Sequence, residues 1–220
     1  MLLSAASPAN AGEAEWKILH DQAAGHLQRG SLQQAELFAR AALKEAEATL
    51  PPEHRGTEQS VSTLSHVLSR QGKHDEAVRT ARRLVEMRTR RHGPQHPATG
   101  LALHNNAQFL ILQGKLEAAE QVERQALAVF EKNHGRYHYY TAAALHNLGA
   151  IQLQMGKHRE AEKYLRLALV AKEKALKPGN LSIAHTLDNL SAALDAQGRQ
   201  IEADKYRRRA DAIRRKARPS

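Results

Sequence analysis

Apolar and small residues recur along the chain with a period of 42 residues, and glycines mark this period most clearly. Five glycines follow it: Gly30, Gly72, Gly114, Gly156 and Gly198. Eleven residues before each is a large aliphatic residue (Leu19, Val61, Leu103, Leu145, Leu187), and five residues after each is an alanine (Ala35, Ala77, Ala119, Ala161, Ala203). A glycine between two apolar-periodic segments suits a tight turn, where a positive φ carries no steric penalty. The pattern predicts five helix–turn–helix repeats, which we number 1 to 5 in chain order.

The second helix of each predicted pair has the spacing of an amphipathic helix. In residues 160–169, apolar residues alternate with charged ones so that one face is buried and the other solvated. Segments that contain Gly and Pro, at 92–97 and 177–180, separate one repeat from the next. Because one repeat cannot cover its own apolar stripe, the repeats must stack on each other. We therefore predict an all-α solenoid of about five repeats.

Several stretches resemble the tetratricopeptide repeat in the 42-residue form found in kinesin light chains and in many bacterial proteins. Two of them combine a first-helix segment with the turn that follows it, at 103–107 with 113–120 and at 144–149 with 155–162. Residues 187–190 give a third match, and His96-Pro97 resembles the family's linker between repeats. The resemblance is good over residues 57–213 and weak over 14–56. It implies a right-handed superhelical solenoid at 14–217, after an N-terminal segment at 1–13 that we expect to be flexible.

The family resemblance also implies a binding site. In this family the first helices line a concave groove that takes an extended peptide or a helix of a partner protein. An asparagine in the first helix often hydrogen-bonds the backbone of the bound peptide, and the matching residues are Asn105, Asn147 and Asn189. Repeats 1 and 2 depart from this pattern, with Asp21 and Thr63 at the same position. An amide suits the role because it offers a donor and an acceptor together.

Neighbours of these asparagines would supply the specificity of such a groove. One position earlier stand His104 and His146, and further neighbours on the same helices are Gln108, Leu101 and Leu153. These residues predict a polar, histidine-rich and nearly neutral groove, without the Lys/Arg cluster that would capture a C-terminal carboxylate. We therefore expect a protein or peptide partner, and no cofactor.

Positive charge is concentrated near the C-terminus. The formal net charge is +10, and residues 204–220 contain eight basic and two acidic residues. One interpretation is a polar cap that ends the stack, because Asp211 stands where the earlier second helices place an apolar residue. The alternative is a patch for an acidic partner or a nucleic acid, formed by the arginines of this segment: Arg207, Arg208, Arg209, Arg214 and Arg215. A further interpretation is an accessory subunit that holds a larger assembly together.

Nucleic-acid binding has less support than protein binding. It would need basic residues along one face together with aromatic residues on which bases stack. Phe, Trp and Tyr make up only 4% of the chain, and most of them stand at packing positions.

Catalytic and metal chemistry also find little support in the sequence. There is no cysteine, which excludes thiolate metal sites and thiol nucleophiles. Two histidine pairs, His92/His96 and His134/His138, have the i,i+4 spacing of metal ligands on a helix. However, His54, His96 and His138 are 42 residues apart, so we interpret them as one structural position repeated and assign no metal. No carboxylate at a fixed spacing completes a proton relay with the groove histidines, and we expect no enzyme activity.

The N-terminal residues leave the compartment open. Residues 1–11 combine a short apolar stretch with Ala9-Asn10-Ala11, which has the small–x–small form of a signal-peptidase site, but no basic segment precedes them. A cytoplasmic protein with a flexible N-terminus is one interpretation, and the end of a secretory signal on a periplasmic or secreted protein is the other. The sequence has no apolar run of about 18 residues, so it predicts no membrane span.

Overall fold

The computed structural model describes residues 8–51 and 53–217, and its regular secondary structure in these ranges is α-helical. The chain divides into two units, Met1–Pro94 and Gln95–Ser220, which are described separately. The helices described in the N-terminal unit are α1 (Pro8–Gln28), α2 (Leu32–Thr49), α3 (Arg55–Arg70) and α4 (His74–His92). Those described in the C-terminal unit are α5 (Pro97–Leu112), α6 (Leu116–His134), α7 (Tyr139–Gln154), α8 (His158–Ala175), α9 (Leu181–Asp195) and α10 (Gln200–Ala217). The predicted all-α fold, with two helices for each of five repeats, is confirmed over the described residues.

The N-terminal helix begins earlier than the repeat boundary expected from the sequence. Because α1 starts at Pro8, residues 8–13 of the segment expected to be flexible are helical. Residues 1–7, on which most of the signal-peptide interpretation rests, lie outside the described residues. Of the helices that the structure describes, none has the length and apolar character needed to cross a membrane.

The turn within each repeat is formed by its glycine, as the period predicts. All five glycines have φ between 72° and 77°. In repeat 2, Gly72 N–H donates to Ser69 O (3.0 Å) and Lys73 N–H donates to Leu68 O (3.0 Å). This pair of bonds is the Schellman motif, which satisfies the last carbonyls of the first helix. A left-handed conformation at this point favours glycine, and so each glycine both ends the first helix and starts the turn.

The histidines that recur every 42 residues cap helices. His54, His96 and His138 are the N-cap residues of α3, α5 and α7, and in each case Nδ1 accepts a hydrogen bond from the backbone N–H two residues later (3.0–3.2 Å). Asn180 replaces histidine at the start of α9 and accepts from Ser182 N–H (2.8 Å). Caps of this kind satisfy an N–H group that has no partner inside the helix. The prediction of one structural position repeated is confirmed.

Close contact between the two helices of a repeat depends on small residues. The alanines five residues after the turn glycines are fully buried, as predicted. In repeat 4, a Cβ atom on Gly149 of α7 would lie only 2.5 Å from Cγ of Leu165 in α8. Leu165 and Leu169 of α8 join residues of α9 and α10, such as Leu187 and Ile213, in the apolar core of the C-terminal unit. The large residue of one helix therefore fills the space left by the small residue of the other.

The N-terminal unit has its own smaller core. Trp16 of α1 packs with Ala42, Ala46 and Leu50 of repeat 1. Its indole Nε1–H donates to Ser60 Oγ of α3 (2.8 Å), which satisfies the polar end of the ring and ties repeat 1 to repeat 2.

Candidate partner-binding site

The residues expected to line a groove all belong to the C-terminal unit. They lie on α5, α7 and α9, the first helices of repeats 3 to 5, and α7 packs against both α5 and α9. We call the surface around Asn105, Asn147 and Asn189 the first-helix face. The three asparagines occupy the same position in successive helices, and each is half-buried. The structure thus places three partly accessible amides on adjacent helices.

Three further predicted residues flank these amides. Gln108 is exposed, whereas Leu101 and Leu153 are half-buried. Leu153 also packs against the apolar core of the C-terminal unit. The first-helix face therefore combines amide groups with a limited apolar component.

His104 differs from the expectation that it faces the groove. Its side chain is buried, and Nδ1 lies 2.6 Å from Oε1 of Glu123, a carboxylate of α6 that has no exposed side-chain surface. The sequence shows no carboxylate at a fixed spacing from the groove histidines, and Glu123 is a neighbour of His104 that sequence spacing does not reveal. Gln108 Nε2 donates to His104 Nε2 (3.1 Å), so the imidazole connects the exposed amide to the buried acid. His104 therefore lies beneath the first-helix face and is not part of its accessible surface.

Asn147 of α7 is the second neighbour of the Glu123 carboxylate, after His104. Burial raises the pKa of Glu123, and contacts with His104 and with the Asn147 amide oppose that shift. Asn147 Nδ2 and Glu123 Oε2 are both inaccessible to solvent, and neither has a hydrogen bond of regular geometry. The contact lowers the energy of the ionised carboxylate, but the geometry is not that of a formed hydrogen bond.

His146 of α7 is held neutral. Burial lowers its pKa to about 3, and the positive charge of Lys172 and the neighbouring His185 act in the same direction. Its Nδ1 lies 3.1 Å from Thr186 Oγ1 of α9, whose hydroxyl donates to Ser182 O (3.1 Å). Since the hydroxyl hydrogen is used in that bond, the imidazole Nδ1–H is the donor to Oγ1. His146 thus joins two neighbouring first helices.

Lys172 of α8 is a buried cation below the same face. Its Nζ donates to Ser182 O (3.1 Å) at the start of α9. Burial lowers its pKa to about 8. No carboxylate forms an ion pair with it among the residues that the structure describes. A charged lysine with one carbonyl partner is costly to bury, which explains the direction of the shift.

Much of the arginine cluster of α10 is neutralised within the C-terminal unit. Arg207 pairs with Asp195 and Asp204, Arg209 pairs with Glu173, and Arg214 pairs with Asp188 and Asp211. Arg208 and Arg215 are exposed and form no ion pair within the described ranges. Asp188 stands at the position of His104 and His146, so in repeat 5 an ion pair replaces a histidine below the first-helix face. Three of the five arginines thus hold α10 against its neighbours.

Members of both histidine pairs with the i,i+4 spacing have other contacts. The rings of His134 and His138 stack with their centroids 4.3 Å apart, and His138 Nδ1 is engaged as a helix cap. His96 Nδ1 caps α5 in the same way. Within residues 8–51 and 53–217, no group of three or more His, Asp or Glu side chains is arranged to hold a metal ion.

Two buried ionisable residues, Glu123 and Lys172, were missed by the sequence analysis. Glu123 stands nine residues after the turn glycine, where repeats 1, 2 and 4 have Ala39, Ala81 and Leu165. Lys172 stands sixteen residues after its glycine, where repeats 1 and 3 have Ala46 and Phe130 but repeats 2 and 5 have Arg88 and Arg214. A charged residue at a position that is apolar in other repeats is a detectable signal. Comparison of positions within the period would therefore have singled out Glu123, whereas Lys172 shares its position with basic residues of repeats 2 and 5.

Paired helices that repeat every 42 residues and pack through small residues define an α-helical repeat protein, and in this one a row of side-chain amides lies on adjacent first helices. The family model of the tetratricopeptide repeat matches residues 56–132, 99–174 and 140–216. These matches overlap and span well over half of the chain, which therefore belongs to the tetratricopeptide repeat family. No curated protein matches the chain.

Solved structures of other repeat proteins share the fold. BtubC from P. vanneervenii is 19% identical, with a TM-score of 0.78 over 97% of this chain and 93% of its own. A kinesin-light-chain protein of nearly identical TPR-like repeats from Podospora anserina is 22% identical, with a TM-score of 0.78 over 98% of this chain and all of its own. The apo form of RapI has a TM-score of 0.80 at 19% identity, and the match spans 94% of this chain but only 56% of RapI. At these identities the similarity shows the fold alone.

Proposed function

We propose that this protein is a non-catalytic scaffold whose first-helix face binds an extended segment of a partner protein. The observation that carries the proposal is the row of Asn105, Asn147 and Asn189, three half-buried amides at one position of adjacent first helices. A side-chain amide can pair with a peptide group whatever side chain the ligand carries. Repeats of this family typically act as interaction scaffolds, and this supports the proposal without identifying the partner.

The surroundings of the amides limit the chemistry of the bound segment. His146 is neutral at physiological pH because its pKa is lowered to about 3. The carboxylate of Asp188 is paired with Arg214. The face therefore offers hydrogen bonds and limited apolar contact rather than net charge, which favours main-chain recognition over capture of a charged terminus.

Alanine substitution of Asn147 tests the proposal. Partners are first captured from native extract by the wild-type chain and identified by mass spectrometry, and the purified partner segment is then titrated calorimetrically. Asn147→Ala should weaken binding by roughly 1–3 kcal/mol, because a peptide group of the ligand loses its partner. Gln125→Ala is the matched control, since it removes an exposed amide from the second helix α6. Wild-type affinity in a folded Asn147→Ala variant would exclude the first-helix face as the binding site.

Binding of an acidic partner through α10 is the second candidate, and it rests on Arg208 and Arg215. Both are exposed and form no ion pair among the described residues. If they bind an acidic surface, reversal of both charges should weaken binding strongly at low salt and little at high salt. A loss of binding that is equal at both salt concentrations would count against this candidate.

A further inference from the structure

Glu123 is a buried acid at a position that does not require one. Its side chain is fully buried, and the corresponding residue in repeat 4, Leu165, is equally buried and apolar. Replacement of a buried charge by an apolar residue of similar volume is often neutral or stabilising. The requirements of packing therefore do not explain the carboxylate, and its neighbours indicate a different role.

The neighbours of Glu123 come from two first helices. On one side, His104 of α5 lies 2.6 Å from Oε1. On the other side, the amide of Asn147 in α7 interacts with the carboxylate. Asn147 Nδ2 and Glu123 Oε2 are the two inaccessible atoms of this cluster that lack a regular hydrogen bond. A buried donor and a buried acceptor side by side satisfy each other when Nδ2–H donates to Oε2.

The imidazole of His104 leaves Oε2 available for this bond. Gln108 Nε2 can only donate, so His104 Nε2 accepts from it and the proton of the neutral ring lies on Nδ1. Nδ1–H then donates to Glu123 Oε1. One carboxylate oxygen is thus used by α5, and the other faces the Asn147 amide.

We propose that Glu123 is a positioning residue that holds the NH₂ group of Asn147 inward, so that Asn147 Oδ1 faces the first-helix face as a fixed hydrogen-bond acceptor. The recognised group of the partner at this position is then a donor, such as a main-chain N–H. The geometry that supports this orientation is that Asn147 is half-buried as a residue while its Nδ2 is inaccessible. The significance for binding rests on the proposed function, whereas the orientation of the amide does not.

The other two asparagines lack this device. At the position that corresponds to Glu123 in the preceding repeat, Asn105 has Ala81 and Asn189 has Leu165. Neither residue can accept a hydrogen bond from an amide. Asn105 and Asn189 therefore have no carboxylate at the equivalent position, whereas the Asn147 amide interacts with one.

Hydrogen exchange of side-chain amides, measured by NMR on the full chain without any partner, tests the orientation. In the wild type, the side-chain NH₂ of Asn147 should exchange at least about tenfold more slowly than those of Asn105 and Asn189, because its Nδ2 is inaccessible and, under the proposal, donates to the Glu123 carboxylate. Equal exchange at the three asparagines would overturn the proposal, and this result needs no variant.

Substitution of Glu123 separates positioning from packing. Glu123→Leu copies repeat 4 and removes the acceptor, so the slow exchange at Asn147 should be lost. Glu123→Gln keeps one acceptor oxygen, for which His104 and Asn147 compete, and should lose less of the slow exchange than Glu123→Leu. An equal loss in both variants, or slow exchange that persists in a folded Glu123→Leu protein, contradicts the positioning role.

A matched control uses the other buried glutamate of α6. Glu120 bonds Gln152 (2.7 Å) and Arg124 (2.6 Å), so Glu120→Gln should leave the exchange at Asn147 unchanged. An effect as large as that of Glu123→Leu would mean that any change in α6 disturbs Asn147, and would overturn the specific role of Glu123. The proposed function is tested independently of this orientation. If the wild type shows the slow exchange but Asn147→Ala binds the partner with wild-type affinity, the orientation of the amide is supported and the proposed function is excluded.

Discussion

Repeats 3 and 4 place opposite kinds of residue at two equivalent buried positions. Nine residues after the turn glycine, repeat 3 has Glu123 and repeat 4 has Leu165; sixteen residues after it, repeat 3 has Phe130 and repeat 4 has Lys172. All four side chains are buried. Of these two positions, each repeat has an ionisable residue at one and an apolar residue at the other. At these two positions the period therefore does not determine the chemistry of the buried side chain.

The two buried charges differ in how they are compensated. Glu123 has an imidazole at 2.6 Å and an amide beside it, whereas Lys172 has a single backbone carbonyl at 3.1 Å. Burial raises the pKa of Glu123 and lowers that of Lys172, so in both cases it favours the neutral form. Glu123 is part of a polar cluster that reaches the first-helix face through Gln108 and Asn147. Lys172 supports the start of α9 and affects the same face only through its neighbour His146.

The largest expected effect on stability comes from Leu165, the apolar residue that repeat 4 has in place of Glu123. Leu165→Ala should reduce the free energy of unfolding by about 2–5 kcal/mol, because it leaves a cavity against Gly149 in the core of the C-terminal unit. Leu167→Ala, two residues further along α8, changes a side chain that is 57% exposed and should have an effect below about 0.5 kcal/mol. Urea denaturation measures both. Similar losses in the two variants would show that the repeat register does not predict burial in α8.

Replacement of the buried lysine should stabilise the protein. In Lys172→Met the long side chain remains but the charge is removed, and the gain at pH 7 should be about 1–2 kcal/mol after loss of the bond to Ser182 O. Because the folded pKa of Lys172 is about 8 and lies below its ordinary value of 10.5, the wild type binds fewer protons when folded and becomes more stable as pH rises between these values. The advantage of methionine should therefore shrink over that range.

Thermal denaturation at pH 7 and pH 10 measures the gain from Lys172→Met. Lys163→Met, at an exposed position of the same helix, is the control and should change little. A destabilised Lys172→Met variant at pH 7 would mean that the bond to Ser182 O outweighs the burial of the charge.

The smallest expected effect concerns acid sensitivity at His146. Its pKa is about 3 in the folded protein, and its ordinary value is 6.5. Between these values the unfolded chain binds a proton at this residue and the folded chain does not, so stability is lost as pH falls below 6.5. This residue should account for a loss of about 1 kcal/mol between pH 6.5 and 5.5. In His146→Asn, where Nδ2 can replace the ring donor to Thr186, that part of the loss should disappear. An unchanged pH dependence in urea titrations would show that His146 is not kept neutral by the fold.

Much of the fold could be predicted because it follows from local rules that repeat. Glycine at each turn, alanine five residues later and a histidine repeated every 42 residues follow from residue type at a fixed spacing, and all are found at the expected places. The capping role of the histidines was not part of the prediction. The positions of Asn105, Asn147 and Asn189 on adjacent helices follow from the same period. What the period could not indicate is accessibility, and for this reason His104 was expected on the surface although it is buried.

The sequence by itself determined the period, the helix ends, the alternation of large and small residues and the family, because each depends on residue type at a fixed spacing. Only the tertiary structure decided which polar residues meet. His104 and Glu123 are 19 residues apart and lie on different helices, and Asn147 comes from the next repeat. Their contact depends on how far one helix is rotated and shifted against another, which packing of many side chains sets together. For this reason the carboxylate behind Asn147 became visible only in the folded chain.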